Sequence, residues 1–326
     1  MNIEILGHLG IVFATIAVVW FFGGILVDSV GRISKKMNQS GFTTAFFILG
    51  FLTSLSEISV MLNSSISETP QISAGNLSGA SIMIFLCIIP FLAIAGKNGI
   101  TMNNTLPKRE FFFAIIAILI PQVLLIDGQM TLAEGLLCIG AYLGIFLMVR
   151  KSPQTIQDYV DHASGAIDIN YSWWKEFGKI MIGAVVIFFA GDILVAEAQF
   201  ISTVLSVPSS LVGLLLLSVG TNIPELIVAF RSILKQRTDI AFGGYIGSAL
   251  TNTLSLGVLV ILAGGFMVTV SQFIITAITA IVGLTLFYIF AQSKNNLSRN
   301  EGIILFSIYI IFITIQGLYL FGVLHY

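Results

Sequence analysis

One stretch of this chain occurs twice, and that repetition limits the fold more than any other feature. Residues 50–84 read GFLTSLSEISVMLNSSISETPQISAGNLSGASIMI, and residues 218–252 read SVGTNIPELIVAFRSILKQRTDIAFGGYIGSALTN. The two align without a gap. Glu57 falls on Glu225, and the same offset of 168 carries Thr53 to Thr221, Ile72 to Ile240, Gly75 to Gly243 and Gly79 to Gly247. Both copies lie in apolar surroundings, where a carboxylate costs roughly 2.5–3.5 kcal/mol to place in a membrane helix. Two glutamates at equivalent places therefore point to function, and the simplest function for them is to hold a cation.

Composition supports the apolar setting. Of 326 residues, 56 % are hydrophobic and only 10 % charged, against about 25 % charged in ordinary soluble proteins. Ten stretches are long and apolar enough to be read as membrane helices. They fall at about 5–27, 42–63, 71–95, 111–126, 129–149, 178–200, 209–230, 239–263, 269–292 and 301–323. The opening residues MNIEILGHLG lack the basic start of a cleaved signal peptide, so the first span is expected to remain as a helix. No basic stripe suggests nucleic acid; the expected surroundings are membrane lipid. Cys87 and Cys138 lie inside apolar runs and read as small core residues.

Charge placement orders these spans across the membrane. All 15 Lys and Arg residues fall in loops after odd-numbered spans, and none falls on the other side. The positive-inside rule then makes the basic side cytoplasmic and places both termini outside, in a multi-pass protein of the cytoplasmic membrane. The offset of 168 continues upstream, matching Ile25-Leu26-Val27 to Ile193-Leu194-Val195. The repeat is thus five spans against five. Five is odd, so the second copy is inverted. The expected fold is all-α, with ten transmembrane helices as two inverted five-helix repeats: residues 1–149, a cytoplasmic connection at 150–177, and residues 178–326. Such repeats with a site near the midplane are the architecture of secondary transporters.

The residues around each glutamate supply oxygen. Thr53 and Glu57 share a helix face with Ser54 beside them; Thr221, Asn222 and Glu225 repeat the pattern. Pro224 removes a backbone donor, and Gly50 and Gly220 loosen the same turns. Carbonyls freed at membrane depth need a polar partner, and Ca²⁺ takes about 6–8 oxygens. Ser248 and Asn252, four apart, can add two more, whereas their counterparts Ala80 and Ile84 add none. The site is expected to be lopsided. The glycines of Gly75-Asn76-Leu77-Ser78-Gly79 admit two readings, close helix packing or a part in the site.

These motifs resemble the two α-repeats of the Ca²⁺/cation antiporter family, the Na⁺/Ca²⁺ exchangers. Thr53-Ser54-Leu55-Ser56-Glu57 with Gly75–Gly79 is similar to the first, and Gly220-Thr221-Asn222-Ile223-Pro224-Glu225 with Gly247-Ser248 to the second. The resemblance spans the whole chain. It implies exchange of Ca²⁺ for Na⁺, or in some branches H⁺, with Glu57 and Glu225 as central ligands. It also implies ligand roles for Thr53, Ser54, Thr221, Asn222 and Ser248, and for the carbonyls of Gly50 and Ser218. The chain departs from the family pattern at Ser56, where Pro is usual, at Ala80 and Ile84, where Ser and Asn are usual, and at Asn222 and Asn252. The short central connection resembles prokaryotic forms.

The remaining polar residues carry weaker signals. Asp28 and Glu197 read as interfacial, and Asp192 as a deeper acid near an entry path. His8, His162 and His325 lack metal-ligand spacing, and Trp173-Trp174 reads as an interfacial anchor. No Ser–His or Asp–Asp pair fits an intramembrane enzyme. The expectation is a cation antiporter without a cofactor, exchanging Ca²⁺ for Na⁺ by alternating access. An H⁺-coupled exchanger and a non-transporting sensor or scaffold are the alternatives.

Overall fold

The computed structural model describes residues 3–36, 51, 54–96, 99–101, 108–150, 172–222, 225–226, 238–293 and 296–320. Within them the chain forms ten helical elements: α1 (Ile3–Lys36), α2 (Leu55–Ile66), α3 (Pro70–Ala95), α4 (Lys108–Leu124), α5 (Leu132–Arg150), α6 (Trp173–Leu205), α7 (Ser209–Thr221), α8 (Thr238–Ala263), α9 (Val270–Ser293) and α10 (Arg299–Leu320). Seven of these, α3 to α6 and α8 to α10, contain segments long and apolar enough to cross a membrane, and the stretch Leu6–Phe22 of α1 and α7 are shorter apolar helices. Gly50, Thr53, Pro224 and the acidic residues of the central connection lie outside the described residues.

α6 is longer than a bilayer requires, at 33 residues. It starts at Trp173, ahead of the expected boundary, and exposes Trp174. No proline intervenes before Ser206, whose positive φ of 55° ends the helix just ahead of Pro208. α3 and α7 each contain one wide π turn, at Ile84–Ile88 and Gly213–Leu217. In α3 the turn leads into Pro90, which cannot donate its backbone bond to the preceding turn.

Four two-residue strands display the inversion. β1 (Ile100–Thr101), after α3, pairs antiparallel with β4 (Asn296–Leu297), between α9 and α10. β2 (Gln129–Met130), between α4 and α5, pairs with β3 (Phe266–Met267), after α8. Both members of the first pair follow odd-numbered helices, and both members of the second follow even-numbered ones. Each pair therefore sits at one end of the bundle. The repeat offset carries β4 onto β2 and β1 to the edge of β3, exchanging the two pairs. Two inverted repeats in an all-helical bundle give this arrangement.

The most buried elements are α3 and α8, with α2 and α7 against them; α5 and α10 pack outside. α3 meets α7 backbone to backbone. A Cβ on Gly75 would lie 1.9 Å from the Ser210 carbonyl oxygen, and one on Gly213 would lie 2.0 Å from that of Ile72. Packing thus accounts for Gly75, the close approach that small residues permit. α1 and α6 lie along one another and form their own apolar cluster, in which Val12, Ile16 and Leu194 pack with Val60, Ile72 and Leu217 of the central helices.

Candidate cation site

The two halves break their helices at the same place. Ser54, just before α2, has φ −86° and ψ 11°; Asn222, just after α7, has φ −87° and ψ 9°. These residues are related by the repeat offset, and both occupy the sparsely populated bridge region, where site residues often sit. The carbonyl of each accepts the next helical bond, Ile58 N–H to Ser54 O at 2.9 Å and Leu226 N–H to Asn222 O at 3.1 Å. Glu57 consequently stands in the first turn of α2, where the helix dipole favours a negative charge. Glu225 follows the equivalent break.

Both carboxylates are sealed from the surface, Glu57 at 0 % and Glu225 at 1 % exposure. Their hydrogen bonds weave the repeats together. Ser248 of α8 donates to Glu225 Oε1 at 3.1 Å, which uses its only proton. The 2.9 Å contact between Ser54 and Ser248 is then donated by Ser54. Ser56 lies 2.8 Å from Glu57 Oε2 and 3.1 Å from the Thr221 carbonyl oxygen, so its hydroxyl joins α2 to α7. Thr221 Oγ1 donates to Asn76 Oδ1 of α3 at 3.2 Å, and Tyr245 of α8 donates to the Glu225 carbonyl at 3.1 Å.

Glu57 Oε1 and Asn222 Oδ1 of this cluster have no hydrogen-bond partner among the described residues. Buried polar atoms in native proteins are nearly always satisfied. An oxygen of a carboxylate left bare at 0 % exposure is expensive unless a cation or proton reaches it. Asn222 shows how its own oxygen is directed. Its Nδ2 donates to the Ser218 carbonyl at 2.8 Å while its backbone N–H reaches the same oxygen at 3.3 Å. Both lone pairs of that carbonyl are thereby occupied, and the side-chain oxygen of Asn222 is presented instead.

Most of the expected residues are thus brought together: Glu57, Glu225, Ser54, Thr221, Asn222, Ser218 and Ser248. Asn252 departs. Its amide reaches Ser81 of α3, at 3.5 Å, and lines a cavity with Ser78, Ser81 and Gln122. Gly50 and Thr53 lie outside the described residues. Three contributors escaped the sequence reading. Asn76 was visible in the glycine motif, but its counterpart is Gly244, so the repeat gave no reason to include it; Ser56 and Tyr245 likewise have no matching residue in the other half. Ala80 and Ile84 are fully buried and bring no side-chain oxygen, yet α3 still reaches Thr221 through Asn76.

Elsewhere, Glu197 is more than an interfacial acid, since His8 of α1 contacts it at 2.6 Å and stacks on Phe200. Asp192 lies on an exposed face of α6. Cys87 and Cys138 are free thiols. Among the described residues no group of three or more His, Cys, Asp or Glu could hold a metal, so any ion site here combines two carboxylates with neutral oxygens.

Comparison with known proteins gives the same architecture. The family model described as sodium/calcium exchanger protein matches twice, over residues 7–150 and 175–318. A putative antiporter, CaxA, from Alkalimonas amylolytica is 28 % identical over 243 residues, covering 73 % of this chain and 76 % of its own. The uncharacterized membrane protein MJ0091 of Methanocaldococcus jannaschii is 24 % identical over 280 residues, covering 86 % and 88 %. A solved structure of the sodium-calcium exchanger NCX_Mj, soaked with Na⁺ and Sr²⁺, superposes with a TM-score of 0.65 at 21 % identity over 95 % of this chain and 98 % of that one.

Proposed function

The chain belongs to the sodium/calcium exchanger family, and from that membership we propose that it exchanges Ca²⁺ for Na⁺ across the cytoplasmic membrane by alternating access. The family match makes it a cation antiporter rather than an enzyme; the ions and the mechanism are our reading. The observation that carries the reading is the fully buried Glu57 Oε1, which has no hydrogen-bond partner among the described residues although Ser56 ties its carboxylate to the Thr221 carbonyl of the other repeat. Two ionised glutamates balance one Ca²⁺. Glu57, Glu225, Ser54, Asn222, Thr221 and Ser248 surround it with oxygens from both repeats, and the backbone breaks at Ser54 and Asn222 aim further polar groups inward. Thr53 and the carbonyl of Gly50 join this shell on the strength of the repeat. The Ser218 carbonyl joins it only when Asn222 releases it.

Binding and occlusion follow from the hydrogen bonds. When Ca²⁺ leaves, Ser56 and Ser248 hold one oxygen of each carboxylate in place, so the site does not collapse. Monovalent ions replacing Ca²⁺ each need oxygens of their own. α3 offers none at Ala80 or Ile84, and Asn252 brings no charge. This favours fewer Na⁺ ions per cycle than a fuller site would hold, or H⁺ carried on Glu57 and Glu225 as the coupling ion.

Titration calorimetry on the purified protein tests the site. Wild type should bind one Ca²⁺ in Na⁺-free buffer, with affinity falling as Na⁺ is added. Glu57→Gln and Glu225→Gln keep size but remove the charge a divalent ion needs, and each should lose at least ~100-fold in affinity, about 2.7 kcal/mol. Saturable Ca²⁺ binding of wild-type strength in both variants would reduce the carboxylates to structural groups.

A further inference from the structure

A second polar cluster lies in the cavity between α3, α4 and α8, where the offset alignment gives no counterpart. It is lined by Ser78 and Ser81 of α3, Gln122 of α4, and Asn252 and Thr253 of α8. Ser78 is 1 %, Gln122 3 % and Asn252 2 % exposed. Ser78 Oγ, Gln122 Oε1 and Asn252 Oδ1 all lack a hydrogen-bond partner among the described residues. Ser81 donates its proton to the Leu77 carbonyl at 3.0 Å and so turns lone pairs toward Asn252. Three buried oxygens that lack a partner among the described residues line one cavity, with Ser81 at its wall, a set that a positive partner would satisfy.

The repeat does not explain this set. At the offset of 168, Ser78 falls on Ile246, Ser81 on Ala249, and Asn252 on Ile84, all apolar. Packing does not need it either, since an apolar contact between these helices would avoid unsatisfied polar groups at about 1–3 kcal/mol each. No carboxylate lines the cavity, so a divalent ion would keep two uncompensated charges there. We propose that Ser78, Ser81, Gln122 and Asn252 form a binding site for a monovalent cation of Na⁺ size, separate from the paired-glutamate site.

The test removes the glutamate site first. In the Glu57→Gln/Glu225→Gln background, the purified protein is melted in NaCl, KCl or choline chloride at constant ionic strength. Na⁺ should still raise the unfolding temperature in a saturable way, as a ligand of the native state does, and K⁺ should do so less. Adding Gln122→Met should abolish the Na⁺ shift without changing the melt in choline. Ser78→Ala/Ser81→Ala should raise the half-saturating Na⁺ at least ~10-fold, and Gln122→Glu should lower it. The two serine changes are small and decide the matter if Gln122→Met does not fold. No Na⁺-specific shift in the background, or an unchanged shift in both Gln122→Met and the serine pair, overturns the site and leaves an ordered water or a packing gap. Because the background lacks both glutamates, the outcome does not depend on whether Ca²⁺ is exchanged.

Discussion

Ser54 and Asn222 are different residues with nearly the same backbone conformation, and the functional reading starts there. Each interrupts a membrane helix one turn before a glutamate, and each places a side-chain oxygen or hydroxyl toward the space between the repeats. Ala80 and Ile84, by contrast, leave α3 poor in oxygen at a place where α8 carries Ser248 and Asn252. Restoring oxygens with Ala80→Ser and Ile84→Asn should strengthen Na⁺ dependence. Ca²⁺ efflux measured against external Na⁺ at several pH values should become steeper in the double variant, with half-maximal Na⁺ falling several-fold. If wild type already shows steep, pH-independent cooperativity in Na⁺, the uneven distribution of oxygens has no functional consequence. Not every contact at this scale could be read from the chain. Glu57 and Glu225 announce one another because duplication placed both, whereas Asn76 meets Thr221 only because α3 crosses α7 closely, a distance that linear order does not set.

At the scale of elements, that crossing depends on missing side chains. A Cβ at Gly75 would lie 1.9 Å from the Ser210 carbonyl and one at Gly79 would lie 2.4 Å from that of Leu214; backbone atoms cannot yield as a side-chain tip can. Gly75→Ala should therefore destabilise the protein by about 1–3 kcal/mol, the usual cost of overpacking. Gly140→Ala on α5, with no atom within 4 Å of the added carbon, should leave it unchanged. Thermal unfolding of the two variants in detergent compares them directly, and equal melting would mean that α3 and α7 separate freely. The helices themselves were readable from apolar length, including the boundaries of α3 and α8. The overlong α1, which runs to Lys36 rather than ending near residue 27, and the overlong α6 were not, because hydropathy marks only the part of a helix that lipid would cover. Ser59 and Asn63 of α2 also donate to backbone carbonyls of Ile187 and Phe188 in α6, polar ties that no hydropathy window registers.

Across the whole molecule, the inverted repeat presents one helix motif twice, as the two halves of the proposed site, and the paired strands at opposite ends of the bundle show the same inversion. The Lys and Arg distribution adds a direction: reporters fused after Tyr326 or inserted near Glu68 should be extracytoplasmic, and one near Asp161 cytoplasmic. A cytoplasmic C-terminus would reverse the assignment of faces. Exchange itself is tested most directly by radiolabelled Ca²⁺ uptake into proteoliposomes loaded with Na⁺ and diluted into Na⁺-free medium, with choline-loaded and pH-jump vesicles beside them. Wild type should accumulate Ca²⁺ when the Na⁺ gradient is imposed, and Glu57→Gln and Glu225→Gln should each fall to the protein-free background. Uptake of wild-type size in both variants, or none in wild type under either a Na⁺ or an H⁺ gradient, would contradict a paired-carboxylate exchanger.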